Sequence, residues 1–205
     1  IHANLEAIEV CFSELDRIHP DKIIGLGDLV DYCAEPNEII ELIKKRCDVV
    51  LLGNHDEAQY KHEMIKTYTE NAAISSVHTR SVVSPLHIEY FKTLPYSHSE
   101  NDMLFVHASP YEPEKFRYVL TDEAALLNFD SFSEKICFIG HSHIPVIFEK
   151  NEEVIIKSEP GKLKRDSRYI INVGSVGQPR DGNPKLSFGL FDTESYIYEN
   201  ILSNS

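Results

Sequence analysis

Four short apolar runs in this chain break off at the same kind of ending. Ile23-Ile24-Gly25-Leu26 runs into Gly27-Asp28, and Val49-Val50-Leu51-Leu52 into Gly53-Asn54-His55-Asp56. Met103-Leu104-Phe105-Val106 stops at His107, and Ile136-Cys137-Phe138-Ile139 at Gly140-His141-Ser142-His143. A short apolar run bounded by turn-forming residues is the pattern of a strand buried on both faces. Sheets built from such strands place their ligand crevice beyond the carboxyl ends of the strands. The repetition therefore predicts that residues far apart in sequence converge on one crevice rich in imidazole, amide and carboxylate.

The segments between these runs have helical spacing. Leu5, Ile8, Cys11, Phe12, Leu15 and Ile18 predict a helix over 4–18, ended before Pro20, and a second helix extends from about Pro36, a first-turn proline, to Lys45. Residues 57–94 are polar, with helical spacing at Ala72, Ala73 and Val77 and again at Leu86, Tyr90 and Phe91, and predict two or three helices forming a cap or flank. Another helix falls over 121–129. Beyond it, runs at 145–149, 153–158, 168–173, 186–191 and 195–201 are separated by turn residues and predict antiparallel strands. No repeat, low-complexity tract or linker interrupts the chain, so the expectation is one α/β domain over 1–205.

Composition narrows the function classes. With 205 residues and 42% hydrophobic content, a disordered or fibrous chain is excluded. Thirty-three acids against 20 Lys and Arg give a net charge of −13, which opposes non-specific binding to nucleic acid or an anionic membrane. Any phosphate ligand must find local positive charge. The four cysteines (Cys11, Cys33, Cys47, Cys137) lack C-x-x-C spacing and read as reduced thiols, hence a cytoplasmic location. The first residues lack a signal-peptide layout, and no stretch approaches the roughly 20 apolar residues that span a bilayer.

His2, Asp28, Asn54, His107, His141 and His143 are more donors than one tetrahedral metal takes, and they suit two metals sharing a bridging carboxylate, for which Asp28 is the natural choice. Imidazole and oxygen donors without thiolate point to Mn, Fe, Zn, Co or Ni rather than Ca, with manganese taken first. Any one of these histidines alone would read as an ordinary surface or core residue. Gly27, Gly53 and Gly140 sit where a strand must turn sharply and backbone passes close to the site, although a plain turn would ask for the same residue.

Gly27-Asp28-Leu29-Val30-Asp31, Gly53-Asn54-His55-Asp56, His107 and Gly140-His141-Ser142-His143, in this order, resemble the signature of the calcineurin-like metallophosphoesterases over nearly the whole chain. The tail Asn172-Val173-Gly174-Ser175-Val176-Gly177-Gln178-Pro179-Arg180 is similar to the small bacterial and archaeal phosphodiesterase-type members. The resemblance implies a four-layer α/β/β/α sandwich of two mixed sheets flanked by helices. It implies one metal on His2, Asp28 and His143, and another on Asp28, Asn54, His107 and His141. His55 resembles the family's general acid and Asp31 the carboxylate that orients it, though Asp31 by itself would also read as a surface residue. The family opens with D-x-H, to which Ile1 and His2 supply the second and third positions. The aspartate would then precede Ile1, and a chain shortened at its start, without the family's first strand, is expected rather than a lost ligand.

The implied chemistry is hydrolysis of a phosphodiester, a phosphomonoester or a nucleotide polyphosphate, in which two divalent ions lower the pKa of a bridging water so that hydroxide attacks phosphorus in line. Arg180 could reach a substrate phosphate, with a solvated surface arginine as the equal alternative. No spacing argument distinguishes Tyr32, His78 or Arg80, and His19, His62, His87 and His98 read as structural or solvent-exposed. The partner is then a small phosphate ester, with no membrane and no nucleic acid, and a homo-oligomer stays open. Two other readings compete. One is a non-catalytic metal-binding scaffold, as in the retromer scaffold subunit, which has lost the histidine that is His55 here. The other is a protein serine/threonine phosphatase, which carries arginine where this chain has Tyr32. A nuclease is opposed by the net charge and the lack of a basic stripe.

Overall fold

A computed structural model describes residues 1–151 and 154–204. The first helix, α1 (Leu5–Ile18), starts where the Asn4 side chain accepts the Ala7 N–H at 3.1 Å, and it buries Ala7, Ile8, Cys11 and Phe12. It stops at His19, whose φ of 54° turns the chain out of the helix in front of Pro20. The short strand β1 (Ile24–Gly25) leads to α2 (Pro36–Arg46), which has proline in its first turn, and then to β2 (Val49–Val50), parallel to β1. The polar middle holds α3 (Asn54–Ala58), a 3-10 turn at His62–Thr67, α4 (Glu70–Val82) and α5 (Pro85–Phe91).

The chain continues through β3 (Ser97–Glu100), β4 (Met103–Val106), α6 (Asp122–Phe129) and β5 (Ile136–Ile139). After these come β6 (Val146–Asn151), β7 (Val154–Ser158), β8 (Gly161–Lys162), β9 (Arg168–Asn172), β10 (Leu186–Asp192) and β11 (Ile197–Ser203). A mixed six-stranded sheet has the order β3-β4-β5-β9-β6-β7, with β4, β5 and β9 parallel and the other neighbours antiparallel.

Alternation along the parallel strands feeds two cores. Met103, Phe105, Ile136, Phe138, Tyr169 and Ile171 face one, while Leu104, Val106, Cys137, Ile139 and Ile170 face the other with Phe129 of α6. A third core lies under α1 and α2, where Ile8, Phe12, Ile39 and Ile43 meet Leu186 and Phe188 of β10. Helices, sheet, sheet and helix therefore stack in the four layers that the resemblance implies. The second sheet is in two pieces, the parallel pair β1-β2 and the antiparallel trio β10-β11-β8. Residues of β1 and β10 line one cavity of about 880 Å³, together with Phe12 and Phe138.

The elements differ from expectation where polar residues do structural work. Strand β3 is Ser-His-Ser-Glu, an edge strand without apolar alternation, and β8 is two residues long; neither is legible in hydrophobicity. In α4, Val77 is exposed, and Ser76 and Thr79 join Ala72 on the buried face, because that helix supports a polar site. Leu86 is exposed as well, and Phe91 carries the burial of α5. The first residue of the 153–158 run lies outside the described residues. Among the described residues no helix is long and apolar enough to cross a membrane.

One arginine ties the six-stranded sheet to the loop after α6. Arg168 donates to the carbonyls of Phe129 at 2.9 Å, Phe132 at 2.5 Å and Glu134 at 3.2 Å, with its guanidinium 4.4 Å from the Phe132 ring centre. Arg168→Ala orphans three carbonyls at once and is expected to cost about 3 kcal/mol. A urea midpoint within the error of wild type would contradict this.

Candidate metal centre

The strand endings meet as the pattern predicts. Asp28 follows β1, Asn54 follows β2, His107 follows β4 directly, and His141 and His143 follow β5, while His2 sits just ahead of α1. All six side chains are buried. Ligand atoms of His2, Asp28 and His143 lie within 4.8 Å of one another, as do those of Asp28, His107 and His141, so Asp28 belongs to both groups.

Backbone carbonyls dictate how the imidazoles face the centre. His2 Nδ1 donates to Val30 O at 2.8 Å, His107 Nδ1 to Leu26 O at 2.6 Å and His143 Nδ1 to Gln178 O at 2.6 Å. A carbonyl only accepts, so each Nδ1 carries a proton and each ring points Nε2 inward, where the neutral form offers a lone pair. His2 Nε2 and His143 Nε2 then stand 3.1 Å apart. Asp28 Oδ2 is 3.5 Å from His2 Nε2 and 3.3 Å from His107 Nε2, which in turn is 3.3 Å from Asn54 Oδ1. His141 Nε2 is buried with no hydrogen-bond partner among the described residues. So many converging acceptors repel one another unless a cation lies between them, and the set fits divalent ions of the Mn-to-Zn series.

Electrostatics follow from burial and this crowding. Burial opposes ionisation of Asp28, but His107, His55 and His2 around it outweigh burial and hold the carboxyl well below the usual carboxylate range. Burial pushes His2 well down and takes His141 and His143 down to about 3, which keeps their lone pairs available. For His107 burial acts in the same direction, but Asp28 prevails and raises its pKa. Asp56 is pushed up to about 7 by burial and then by Asp28. Its two oxygens accept Leu29 N–H at 2.8 Å and Gly53 N–H at 3.0 Å, which clasps the first two motif loops together.

The backbone is strained at the same places. His2, Asp28, Asp31, His141 and His143 have φ of 57°, 52°, 71°, 64° and 61°, in the left-handed region where each non-glycine residue costs about 1–3 kcal/mol. Two of the expected glycines are sterically required. A Cβ on Gly27 would lie 2.6 Å from Gly53 N, and one on Gly53 would lie 2.2 Å from both Asp28 N and Oδ1. Gly140 is different: its Cβ would meet nothing closer than His107 O at 3.5 Å, so close approach is not the reason for glycine there.

A second cluster adjoins the first. His55 Nδ1 donates to Asp31 Oδ2 at 2.6 Å, Gln59 Nε2 donates to Asp31 Oδ1 at 3.1 Å, and the His55 N–H donates to Asp28 Oδ1 at 3.0 Å. Asp31 is fully buried and not a surface carboxylate. Tyr32 packs edge-on against His2 at 4.7 Å, Tyr68 lies 4.9 Å from His55, and Tyr118 lies 4.2 Å from His141, measured between ring centres. Arg180 is exposed at the rim, its guanidinium 5.8 Å from the Tyr32 ring and bonded to Gln178 Oε1, and its N–H donates to His143 O at 3.3 Å. His78 is exposed, and His87 is bonded to Asn37 and Glu41 away from the site. Gln59, Tyr68 and Tyr118 have no signal in the sequence, since each lies in a polar stretch outside the motifs.

Two outcomes follow. Gly53→Ala displaces Asp28 and is expected to destabilise the protein by about 3 kcal/mol and to abolish uptake of divalent ions in equilibrium dialysis; normal uptake would contradict the close contact. His141 titrates at about 3 when folded and at the ordinary 6.5 when unfolded. Between those values the unfolded chain binds more protons, so in the metal-free protein His141 contributes stability that is present above about pH 6.5 and is lost as pH falls through this window. The difference in urea midpoint between wild type and His141→Asn, measured in chelator at pH 7.5 and 5, checks the sign: wild type is expected to lose more than the variant on going to pH 5.

Comparison with known proteins agrees with this geometry. The family model described as "Calcineurin-like phosphoesterase superfamily domain" matches residues 1–196. An uncharacterized protein of Methanocaldococcus jannaschii is 33% identical over 204 residues, covering 97% of this chain and 82% of that one. The crystal structure of a metallophosphoesterase from Sphaerobacter thermophilus superposes with a TM-score of 0.84 at 32% identity, over 100% of this chain and 85% of the other. A hypothetical protein from Pyrococcus horikoshii OT3 shares the fold at 19% identity and a TM-score of 0.75, over 98% and 82% of the two chains. With its profile matched almost end to end and relatives at one-third identity, the chain belongs to the calcineurin-like phosphoesterase superfamily.

Proposed function

We propose that this protein is a dinuclear-metal-dependent phosphoesterase that hydrolyses a small phosphodiester, phosphomonoester or nucleotide polyphosphate, with His55 as general acid and Asp31 as the carboxylate that orients it. The observation that carries the reading is Asp28, whose one carboxylate belongs to both groups of candidate ligands. In this reading His2, Asp28 and His143 hold one ion, and Asp28, Asn54, His107 and His141 hold the other, with manganese the first to try. Two divalent ions bound there supply Lewis acidity, acidifying water and drawing charge from phosphate oxygens.

The chain's own groups do the remaining work. Asp31 accepts a hydrogen bond from His55 Nδ1–H at 2.6 Å, so Nε2 is the nitrogen that delivers a proton to the leaving oxygen. Gln59 holds the other oxygen of Asp31 and keeps that carboxylate from rotating. Arg180, at the rim beside Tyr32, meets a phosphate oxygen of the incoming ester. Retention of the His55–Asp31 pair favours catalysis over a scaffold role, and Tyr32 in place of arginine favours a small ester over a phosphoprotein. A cytoplasmic location is supported by four thiols outside any disulfide.

Hydrolysis of bis(p-nitrophenyl) phosphate and of alkyl aryl diesters of graded leaving-group pKa, with Mn²⁺ and the full-length protein, tests the assignment. Asp28→Ala is expected to lose turnover and uptake of both ions. His55→Ala should retain the ions and slow esters of poor leaving groups by about 10²–10⁴-fold, with a smaller effect on p-nitrophenolate. Equal slowing across the series would remove the acid role from His55, and an inert wild type would favour the scaffold.

A further inference from the structure

Tyr68 closes the 3-10 turn His62–Thr67, outside every motif read from the sequence. Its hydroxyl makes two bonds to a single residue, donating to the Asn54 carbonyl at 2.8 Å and accepting from Asn54 Nδ2 at 3.0 Å. The donor directions are forced. The main-chain carbonyl only accepts, so it takes the phenol proton, and the phenol oxygen retains lone pairs alone. Only the NH₂ end of the Asn54 amide can meet those lone pairs. Oδ1 is thereby turned the other way, 3.3 Å from His107 Nε2.

The two ends of a carboxamide are nearly identical in shape and opposite in electrostatics, since one offers a lone pair to a cation and the other repels it. We propose that Tyr68 is a positioning residue that locks the Asn54 amide with Oδ1, and not Nδ2, toward the ion held by Asp28, Asn54, His107 and His141. The inference rests on the two-ion reading above. It adds a determinant drawn from the polar middle of the chain, where the 3-10 turn brings one hydroxyl onto a ligand from another loop. The ring has a separate contact, 4.9 Å from His55, which Tyr68→Phe preserves.

Co²⁺ titrated into the metal-free, full-length protein, followed by calorimetry and visible absorption, tests the role without reference to turnover. Wild type is expected to take up two ions. Tyr68→Phe should weaken one of them by about 10–100-fold, the usual effect of losing a partner that orients a ligand, and leave the other within twofold. Asn54→Ala should weaken the same ion, and adding Tyr68→Phe to Asn54→Ala should change nothing further. Unaltered binding in Tyr68→Phe, equal weakening of both ions, or additive losses in the double variant would overturn the positioning role while leaving the two-ion reading intact. A wild type that takes up fewer than two ions would overturn that reading, and this assignment with it.

Discussion

Three carbonyl oxygens, on Val30, Leu26 and Gln178, hold the Nδ1 protons of His2, His107 and His143, and most of the site follows from that. With those protons committed to the backbone, the opposite nitrogens of the neutral rings offer lone pairs to the interior, and a carboxylate, an amide oxygen and His141 Nε2, which has no hydrogen-bond partner among the described residues, join them. Such an assembly of acceptors is unfavourable in a buried place and becomes favourable only around positive charge. In the proposed reading this also accounts for how an acidic chain of net charge −13 would receive an anionic ester. Few cationic side chains would be needed there, because ions held by the buried donors would bring the positive charge.

The surrounding structure holds this arrangement against its own repulsion and strain. Five site residues keep left-handed backbone angles that a relaxed loop would abandon. Gly27 and Gly53 let two loops pass at distances no side chain would allow, and Asp56 clasps them by accepting an N–H from each. Beneath them lie continuous apolar cores on both faces of the parallel strands, rigid enough to fix where each strand ends.

Much of this was legible in the sequence because the strands of the parallel region are buried on both faces and so announce themselves as short apolar runs with polar endings. The convergence of His2, Asp28, Asn54, His107, His141 and His143 was legible for the same reason, each lying close to such an ending or a helix start. What was not legible is polar structure held by polar structure. β3 has no apolar face to show, and α4 turns Ser76 inward because Gln59 needs an acceptor there, so Val77, which fits the helical spacing, is left outside. Tyr68 and Gln59 are placed by side-chain hydrogen bonds to residues distant in sequence, which no periodicity encodes. Gly140 reads in sequence like Gly27 and Gly53, yet its surroundings are roomy, since a motif glycine can mark a turn without marking a close approach.

The metal side and the acid side of the site are not independent modules. Asn54 and His55 are consecutive residues at the start of α3, so one turn of backbone sets a candidate ligand and the candidate acid at a fixed spacing. Asp28 joins the same unit, because one oxygen accepts the His55 N–H while the other lies between the imidazoles of His2 and His107. Tyr68 touches both members of the pair, its hydroxyl on Asn54 and its ring beside His55. A change in charge at Asp28 therefore reaches His55 through one hydrogen bond and one peptide unit, with no need for a longer path. In the proposed reading, proton delivery and substrate clamping are held in register because they are built on the same few atoms.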